Sequence, residues 1–292
     1  MTPLAIIVVL YRSRAELGPL WDCLRAQTFA DWRLVAVDNS PEDGGGAFLE
    51  SLGDPRITVL RNTENAGFAR AVNQGLRRAL ADGAERTMLL NPDTEFTPDF
   101  LGALVAAWDA TGAEVIAPRV MFHDDPQRSW YAGGYLDFGW IFSNRHDDYR
   151  PGGPGSRVVE YASGCCLGLA AALLRRIGLL DESFFVYWED TDFCLRLKAA
   201  GVPIQYVEEP FLLHHAGASS GGERSPAAEA LYFTSYAVLV RKHFPRRQGL
   251  AMLLRVFLKE RGRAGRYAGR AGLVGKALLK GYLLPLRPVE RA

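Results

Sequence analysis

Short apolar runs alternate with helical patterns over the first 120 residues, and this alternation constrains the fold more than any other feature. The runs LAIIVVLY, RLVAVDNS, RITVLRN and RTMLLN are rich in β-branched and other large apolar residues. Between them lie segments such as GFARAVNQGLRRALADG, in which an apolar residue recurs at every fourth position. Strands that alternate with helices build a parallel sheet that helices cover on both faces. The sequence therefore predicts an α/β fold with a mostly parallel sheet.

Composition agrees with a folded protein of this class. The chain has 292 residues, of which 48% are hydrophobic and 23% charged, and this length accommodates one large α/β domain and a smaller appendage. The first apolar run is too short to span a bilayer, follows no basic region and precedes no cleavage site, so we interpret it as a buried strand. The four cysteines form no CxxC pair, which predicts buried free thiols and a cytoplasmic protein.

The second half of the chain is less regular. Residues 123–160 are rich in Gly, aromatic and charged residues without a long period, which predicts hairpins and a mobile loop that forms a lid or binding surface. EYASGCCLGLAAALLRRIG then predicts a strand that runs into a short helix, and EDTDFCLRLKAAG predicts an amphipathic helix that stops at Gly201. VPIQYVEEPFLLHHAG supplies one or two strands that end at a histidine pair.

Polar residues follow several predicted strands, and ligands of open α/β sheets bind beyond the carboxyl ends of the strands. Asp38 and Asn39 could accept hydrogen bonds from a nucleoside, and Asp93 could bind a divalent cation that also contacts phosphate. Turn formation and helix capping are the structural alternatives for these residues. The chain lacks GxGxxG and GxxxxGK[ST], so neither a dinucleotide fold nor a P-loop NTPase is supported.

The segment VYWEDTDFCLR places three acids directly behind aromatic residues. A helix that begins near Glu189 favours acids in its first turn, which explains part of this charge. The aromatics before the helix would pack the acids against an apolar wall and raise the pKa of a carboxyl group, which makes a general base here plausible on chemical grounds. Asp192 and Arg196, four residues apart, predict a structural ion pair.

The C-terminal segment has a different charge from the rest of the chain. Residues 241–292 contain fourteen Lys and Arg but only two acids, so the remainder is acidic although the net charge is +1. Apolar residues with regularly spaced Lys and Arg are typical of a helix that lies on an anionic membrane surface, and equally of a helical hairpin packed on the catalytic domain. We expect a domain boundary between residues 1–222 and 223–292, and no nucleic-acid partner, because the tail has few aromatics and no recognised motif.

Five ordered motifs carry a family resemblance: VVLYRSRAEL, VAVDNSPEDG, NAGFARAVNQG, LLNPDTEF, and FFVYWEDTDFCLRLKAAG followed by HHAGASSGG. Together, over about residues 3–220, they resemble the inverting glycosyltransferases of family 2, in the branch of rhamnosyl- and galactofuranosyltransferases. The resemblance implies a GT-A (Rossmann-like) fold and a nucleotide-diphosphate sugar donor (dTDP, UDP or GDP, with dTDP-rhamnose preferred). It also implies Mg²⁺ or Mn²⁺, and a glycan or lipid-linked acceptor in cell-surface polysaccharide synthesis at the inner face of the membrane.

The resemblance also implies roles in donor binding. Asp38 would contact the base or ribose, and Asp93 matches the last acid of the metal-binding DxD motif, whose first position is here Asn91. His214, followed by the HxxxxSxG arrangement with Ser219 and Gly221, matches the metal-binding histidine better than His215 does. In addition to Asn39, four residues match the nucleoside and diphosphate pocket: Asn65, Gly67, Phe68 and Asn73.

For catalysis, Asp190 matches the acid that deprotonates the acceptor hydroxyl in a single displacement, and Glu189 would orient this site. Tyr187 and Trp188 would hold the acceptor. Two alternatives remain open at this stage. Asn91 favours a non-catalytic nucleotide-sugar-binding relative, and Asp93 with Asp190 could form the carboxylate pair of a glycoside hydrolase, against which the nucleotide-type strand ends argue.

Overall fold

A computed structural model of the chain describes residues 3–148, 153, 155–215, 225–262 and 269–291. Its strands are β1 (Leu4–Leu10), β2 (Trp32–Asp38), β3 (Ile57–Arg61), β4 (Arg86–Leu90), β5 (Thr94–Glu95), β6 (Val115–Phe122), β7 (Ser129–Tyr131), β8 (Gly134–Asp137), β9 (Ser143–His146), β10 (Arg157–Val159), β11 (Cys166–Ala170) and β12 (Ile204–His214). Its α-helices are α1 (Leu17–Arg25), α2 (Gly45–Ser51), α3 (Phe68–Ala81), α4 (Phe100–Thr111), α5 (Ala171–Ile177), α6 (Glu189–Ala199), α7 (Pro226–His243), α8 (Arg246–Arg261) and α9 (Arg270–Leu283).

Ten strands form one curved sheet in the order β10-β12-β6-β11-β4-β1-β2-β3, with β5 paired to β12 and β7 to β6. Strands β1 to β4 run parallel where they pair, and β6 runs parallel to β12. Strand β11 lies antiparallel between β4 and β6, so β4 and β6 share one direction. The predicted α/β fold with a mostly parallel sheet is confirmed.

The sheet is buried on both faces because its central strands are apolar on both sides. Every residue of β1 is buried, and α3 packs across it through Gly75, where a Cβ atom would lie 2.5 Å from Ile7 Cγ2. The glycine in an otherwise regular helix is therefore explained by a close helix–sheet contact. The four cysteines are free thiols, three of them buried and Cys23 half-buried, as expected.

The structure adds a helix that the sequence pattern did not predict. A short 3₁₀ turn, Pro41–Asp43, leads into α2, whose first residues are two glycines. At Gly46 a Cβ atom would lie 2.4 Å from Asp38 Oδ2, so only glycine allows the helix to begin this close to the end of β2. Helix signals are weak where glycines fill the first turn, which is why the pattern missed α2.

Residues 123–160 contain the expected hairpin, because β8 and β9 pair antiparallel. The C-terminal segment folds into α7, α8 and α9, and α7 packs against α6 through contacts described below. Within the described ranges, no helix has the length and apolar character needed to cross a membrane.

Candidate active site

The predicted site residues collect at one edge of the sheet. Asp38 is the last residue of β2, Asp93 follows β4 and His214 is the last residue of β12. Because these three strands run in the same direction, their carboxyl ends meet at the same edge. This edge is where open α/β sheets bind ligands.

Asp38 is fully buried at this edge. Its carboxylate accepts hydrogen bonds from the backbone N–H groups of Ser40 (3.3 Å) and Gly46 (3.2 Å) and from Arg61 Nη1 (3.3 Å). The carboxylate is thereby fixed in one orientation at the start of α2. Arg61, the last residue of β3, was not predicted to belong to the site, and only its position at a strand end could have indicated it.

An amide cluster, formed by Asn39, Asn62, Asn65 and Gln74, lies beside Asp38. Asn39 Nδ2 donates to Asn65 Oδ1 at 2.8 Å, and Asn39 Oδ1 accepts from Asn62 Nδ2 at 3.0 Å. Asn65 Oδ1 also accepts from the backbone N–H of Gly67, so Asn65 shapes the loop, whereas Gly67 occupies the N-cap position of α3. The cluster rigidifies the loop that precedes α3.

Gly67 connects this loop to the acidic segment. It has a φ of 85°, and a Cβ atom there would lie 2.6 Å from the carbonyl oxygen of Phe185. The backbone N–H of Phe68 donates to the same oxygen. The half-buried ring of Phe68 lies near Gly164, and Gly164 contacts Asp190. The predicted donor and catalytic segments are therefore in direct contact.

Asn73 occupies a different environment from the other predicted donor residues. Its side chain is fully buried, donates to the carbonyl of Leu180 (2.9 Å) and to Glu182 Oε1 (3.0 Å), and accepts from the backbone N–H of Leu180. All of these bonds attach α3 to the loop before α6. Asn73 therefore ties α3 to residues 180–182 and does not face the other predicted donor residues through any of these bonds.

Asp93 and His214 form the candidate metal site. Asp93 Oδ1 lies 3.2 Å from His214 Nε2, and the two side chains are only 5% and 8% exposed. Asp93 Oδ1 and His214 Nδ1 are buried without a hydrogen-bond partner among the described residues. An oxygen and a nitrogen ligand at this separation suit a divalent cation, and the unpartnered carboxylate oxygen fits that interpretation. Asn91 lies at the end of β4 and its backbone N–H donates to Cys165; Ser219 and Gly221 lie outside the described residues.

A second acid–histidine group lies next to the first, nearer to solvent. His215 Nε2 lies 2.8 Å from Glu95 Oε1, and the rings of His215 and His123 stack with centroids 3.6 Å apart. The nitrogen and oxygen atoms of these three residues lie within 4.8 Å of one another. His215 is thus paired with Glu95, which leaves His214 as the histidine that faces Asp93.

Asp190 lies in the first turn of α6, as the sequence predicted. Its Oδ2 accepts a hydrogen bond from Tyr161 Oη at 2.8 Å and lies 3.4 Å from the backbone nitrogen of Gly164. Its Oδ1 accepts from the backbone N–H and hydroxyl of Thr191. Tyr161 was not predicted, because nothing in its local sequence separates it from a core tyrosine.

Glu189 is the acid that the aromatic surroundings perturb. The side chain is buried, and its Oε2 has no hydrogen-bond partner in the described part of the chain. Burial, followed by the neighbouring charge of Asp190, raises the pKa of Glu189 well above its ordinary value. The predicted rise in a carboxyl pKa is therefore found at Glu189.

Asp192 has a structural role. Arg196 Nε lies 2.9 Å from Asp192 Oδ2, which confirms the predicted ion pair. Lys242 and His243, both of α7, contact Asp192 Oδ1 at 2.6 and 2.7 Å. Burial alone would raise the pKa of Asp192, but the hydrogen bond from His243 and the charges of Arg196 and Lys242 outweigh it and lower this pKa to about 2. The network attaches α7 to α6.

Tyr187 and Trp188 form an aromatic wall before α6. Both have left-handed backbone conformations, with φ values of 68° and 69°, which are rare for aromatic residues and occur most often at functional sites. Trp188 packs on Tyr236 and Tyr232 of α7, with ring centroids 5.1 and 5.2 Å apart. Ser235 Oγ also donates to the carbonyl of Val186 at 2.8 Å. Helix α7 therefore holds the strained aromatic segment in place.

Comparison with known proteins agrees with this arrangement. The family model described as Glycosyl transferase family 2 matches residues 5–177, which is more than half of the chain. The chain belongs to glycosyltransferase family 2. The predicted family and GT-A fold are confirmed, and the protein is a glycosyltransferase.

Three relatives illustrate the branch. The glycosyltransferase is 26% identical over 270 residues to N-acetylglucosaminyl-diphospho-decaprenol L-rhamnosyltransferase of Mycobacterium tuberculosis, covering 82% of this chain and 85% of the relative. It is 26% identical over 223 residues to low-salt glycan biosynthesis hexosyltransferase Agl10 of Haloferax volcanii, covering 73% and 67%. It is 24% identical over 188 residues to dTDP-rhamnosyl transferase RfbF of Shigella flexneri, covering 64% and 61%.

Solved structures share the fold at low identity. GalNAc-T7, solved with UDP, GalNAc and Mn²⁺, has a TM-score of 0.65 at 13% identity over 82% of the glycosyltransferase, which spans only 48% of that chain. TarS of Staphylococcus aureus, residues 1–349, has a TM-score of 0.60 at 17% identity, covering 96% and 80%. Mannosyltransferase PcManGT of Pyrobaculum calidifontis, solved with GDP-Man and Mn²⁺, has a TM-score of 0.57 at 14% identity, covering 96% and 87%.

Proposed function

We propose that this glycosyltransferase transfers a sugar from a nucleotide-diphosphate donor to a hydroxyl group of a glycan or lipid-linked acceptor, with inversion at the anomeric carbon. The observation that carries the proposal is the contact between Gly67 and Phe185. It brings the donor end of the sheet, with Asp38 and Asp93, against the segment that holds Glu189 and Asp190. Groups suited to a nucleotide, a metal and a base thereby lie on segments that contact one another.

Asp190 is the proposed base. Tyr161 and Thr191 hold its carboxylate, which fixes its direction, and it accepts the proton of the acceptor hydroxyl as that oxygen attacks the sugar. Glu189, with its raised pKa, retains its proton at neutral pH and avoids a second negative charge beside the base. No covalent intermediate is needed, so a single displacement inverts the anomeric centre.

Asp93 and His214 would hold Mg²⁺ or Mn²⁺. A divalent cation at this place supplies positive charge to the diphosphate leaving group. Asp38, Asn39, Asn65, Gly67, Phe68 and Asn91 would form the donor pocket, with Asn73 tying α3 to residues 180–182. With one carboxylate in the DxD position, Asn91 would make metal binding weaker than in a site with two.

The donor and acceptor are inferred from the relatives. Two of them are named as rhamnosyltransferases, one with a dTDP-linked donor and one with a diphospho-decaprenol acceptor. We therefore propose dTDP-rhamnose as the donor, before UDP or GDP sugars, and a lipid-linked glycan as the acceptor. Tyr187 and Trp188 would contact this acceptor. Residues 1–222 would form the catalytic domain, with residues 223–292 as its C-terminal helical region at the inner face of the membrane.

A transfer assay tests the proposal. Purified protein would be incubated with Mn²⁺, a polyprenyl-diphosphate glycan acceptor and dTDP-, UDP- or GDP-sugars, and the anomeric configuration of the product would be determined by NMR. Asp190→Asn should lower turnover by more than about a hundredfold with nearly unchanged nucleotide binding. Asp124→Asn, at a side chain that is 97% exposed, is the matched control. Nucleotide binding without turnover in the wild type would favour the non-catalytic alternative.

A further inference from the structure

Helix α8 carries an apolar stripe on its solvent side. Leu250, Leu254 and Leu258 are 45%, 58% and 53% exposed. They are spaced four residues apart, so they lie on one face of the helix. The opposite face is used for packing, because Met252 and Val256 are buried. An α-helix that packs on one side only has no structural need for leucines on the other.

Helix α9 repeats the arrangement. Leu279 and Leu283 are 61% and 68% exposed and lie on one face, whereas Val274 and Leu278 are buried. Gly275 contacts Phe257 of α8, so the two helices pack together. We call the five exposed leucines of α8 and α9 the leucine surface. Single exposed leucines are ordinary, but exposed stripes on two helices that pack on each other point to an interaction site.

The charge around the leucine surface is almost entirely positive. Lys276 and Lys280 are exposed on the same side of α9 as its leucines, and Arg247 and Arg261 extend the stripe of α8 at both ends. The one acid of α8, Glu260, is buried in an ion pair with Arg270, away from this surface. An apolar stripe with basic flanks complements an anionic lipid bilayer, in which leucines enter the acyl boundary and cations meet the headgroups.

We propose that the leucine surface docks the glycosyltransferase on a membrane that contains anionic phospholipid. Trp140 is 72% exposed, and its ring centroid lies 3.9 Å from Cζ of Arg255. Tryptophan favours the headgroup region of a bilayer. The suggested purpose of docking, the capture of a lipid-linked acceptor, rests on the proposed function. The exposed leucines and their basic flanks do not depend on it.

The docked surface lies next to the catalytic segment. A cavity of about 320 Å³ is lined by Trp188 of the aromatic wall, by Tyr232 of α7, by Lys259 of α8, and by Arg270 of α9 with its ion-pair partners Glu229 and Glu260. Lys259 directly follows Leu258 of the leucine surface. A lipid-linked acceptor with its chain in the bilayer would therefore lie close to Trp188, the residue that directly precedes Glu189.

Vesicle flotation tests the docking. The full-length wild type should float with vesicles of phosphatidylglycerol and phosphatidylcholine at low salt, and bind more than about tenfold less to pure phosphatidylcholine. Leu254→Glu with Leu258→Glu should abolish flotation, and Lys276→Glu with Lys280→Glu should reduce it strongly. Arg25→Glu with Arg78→Glu, exposed on other helices and with the same change in charge as the lysine pair, should float like the wild type.

The outcomes separate this inference from the proposed function. Wild-type protein that remains in the soluble fraction at low salt, or leucine and lysine variants that float normally, would overturn the docking surface. Circular dichroism checks that the variants are folded. If the double leucine variant does not fold, the double lysine variant still tests the docking surface. Sugar transfer to a water-soluble acceptor should be unchanged in both pairs. Flotation without any transfer activity would instead contradict the proposed function.

Discussion

The phenol of Tyr161 donates a 2.8 Å hydrogen bond to Oδ2 of Asp190. Tyr161 is itself held by its neighbours, because its carbonyl accepts from Tyr131 Oη at 2.8 Å and its ring stacks on His146 at 5.4 Å. Burial first, and then the charge of Asp190, raises the pKa of Tyr161 well above its ordinary value, so the phenol stays protonated and continues to donate. Tyr161 is thus a positioning residue for the proposed base.

Tyr161→Phe should lower kcat by about tenfold or more, because a hydrogen bond to a charged group contributes about 1.5 to 3 kcal/mol. The KM for the donor should remain unchanged. Tyr135→Phe, at a half-exposed tyrosine of β8, is the control. An unaltered kcat would show that Tyr161 is only a packing residue.

His214→Gln should weaken Mn²⁺-dependent binding of a nucleoside diphosphate by at least about tenfold, because it removes one of two proposed ligands. His215→Gln is the matched control, since His215 pairs with Glu95 and not with Asp93. Titration calorimetry with and without Mn²⁺ measures both variants. If His215→Gln lost more Mn²⁺-dependent affinity than His214→Gln, the metal would bind at Glu95, His123 and His215 instead.

Asp192→Asn should lower the free energy of unfolding, because it weakens the contacts that hold α7 on α6. The pKa of Asp192 is lowered from 3.8 to about 2, which corresponds to roughly 2 kcal/mol of stability. Because the folded-state pKa is the lower one, this contribution is present above pH 4 and is lost as pH falls toward 2. Urea unfolding from pH 7 to pH 2 should show a difference between wild type and variant that shrinks in this window. A difference independent of pH would argue against the charge network.

Glu189→Gln should stabilise the protein at pH 8 relative to the wild type. Burial raises the pKa of Glu189 above 4.5, so the folded wild type retains a proton that the unfolded chain has lost. The wild type therefore loses stability as pH rises above about 4.5, whereas glutamine, which mimics the protonated acid, does not. Thermal unfolding at pH 4 and pH 8 should show a gain in Tm only at pH 8. An equal gain in Tm at pH 4 and pH 8 would mean that Glu189→Gln acts through packing and not through charge.

The local pattern predicted the features that depend on residues close together in the chain. The strand and helix alternation, the helix from Glu189 and the Asp192–Arg196 pair follow from periodicity and from groups within one helical turn. The ordered motifs placed Asp38, Asp93 and Asp190 at the ends of the right elements. The glycine-started α2 was missed, because its helix start depends on contact with Asp38 and not on propensity.

Tertiary structure alone decided which of these groups meet. Tyr161 lies against Asp190, and Tyr232 and Tyr236 brace Trp188, although each comes from a segment that resembles ordinary core or helix in sequence. The pairing of β12 with β5 places His214 beside Asp93 and His215 beside Glu95, and this arrangement supports the proposal that His214 is the metal ligand. The two stripes that form the leucine surface became visible only once packing had buried the other faces of α8 and α9. Such contacts join residues far apart in the chain, and short-range periodicity carries no information about them.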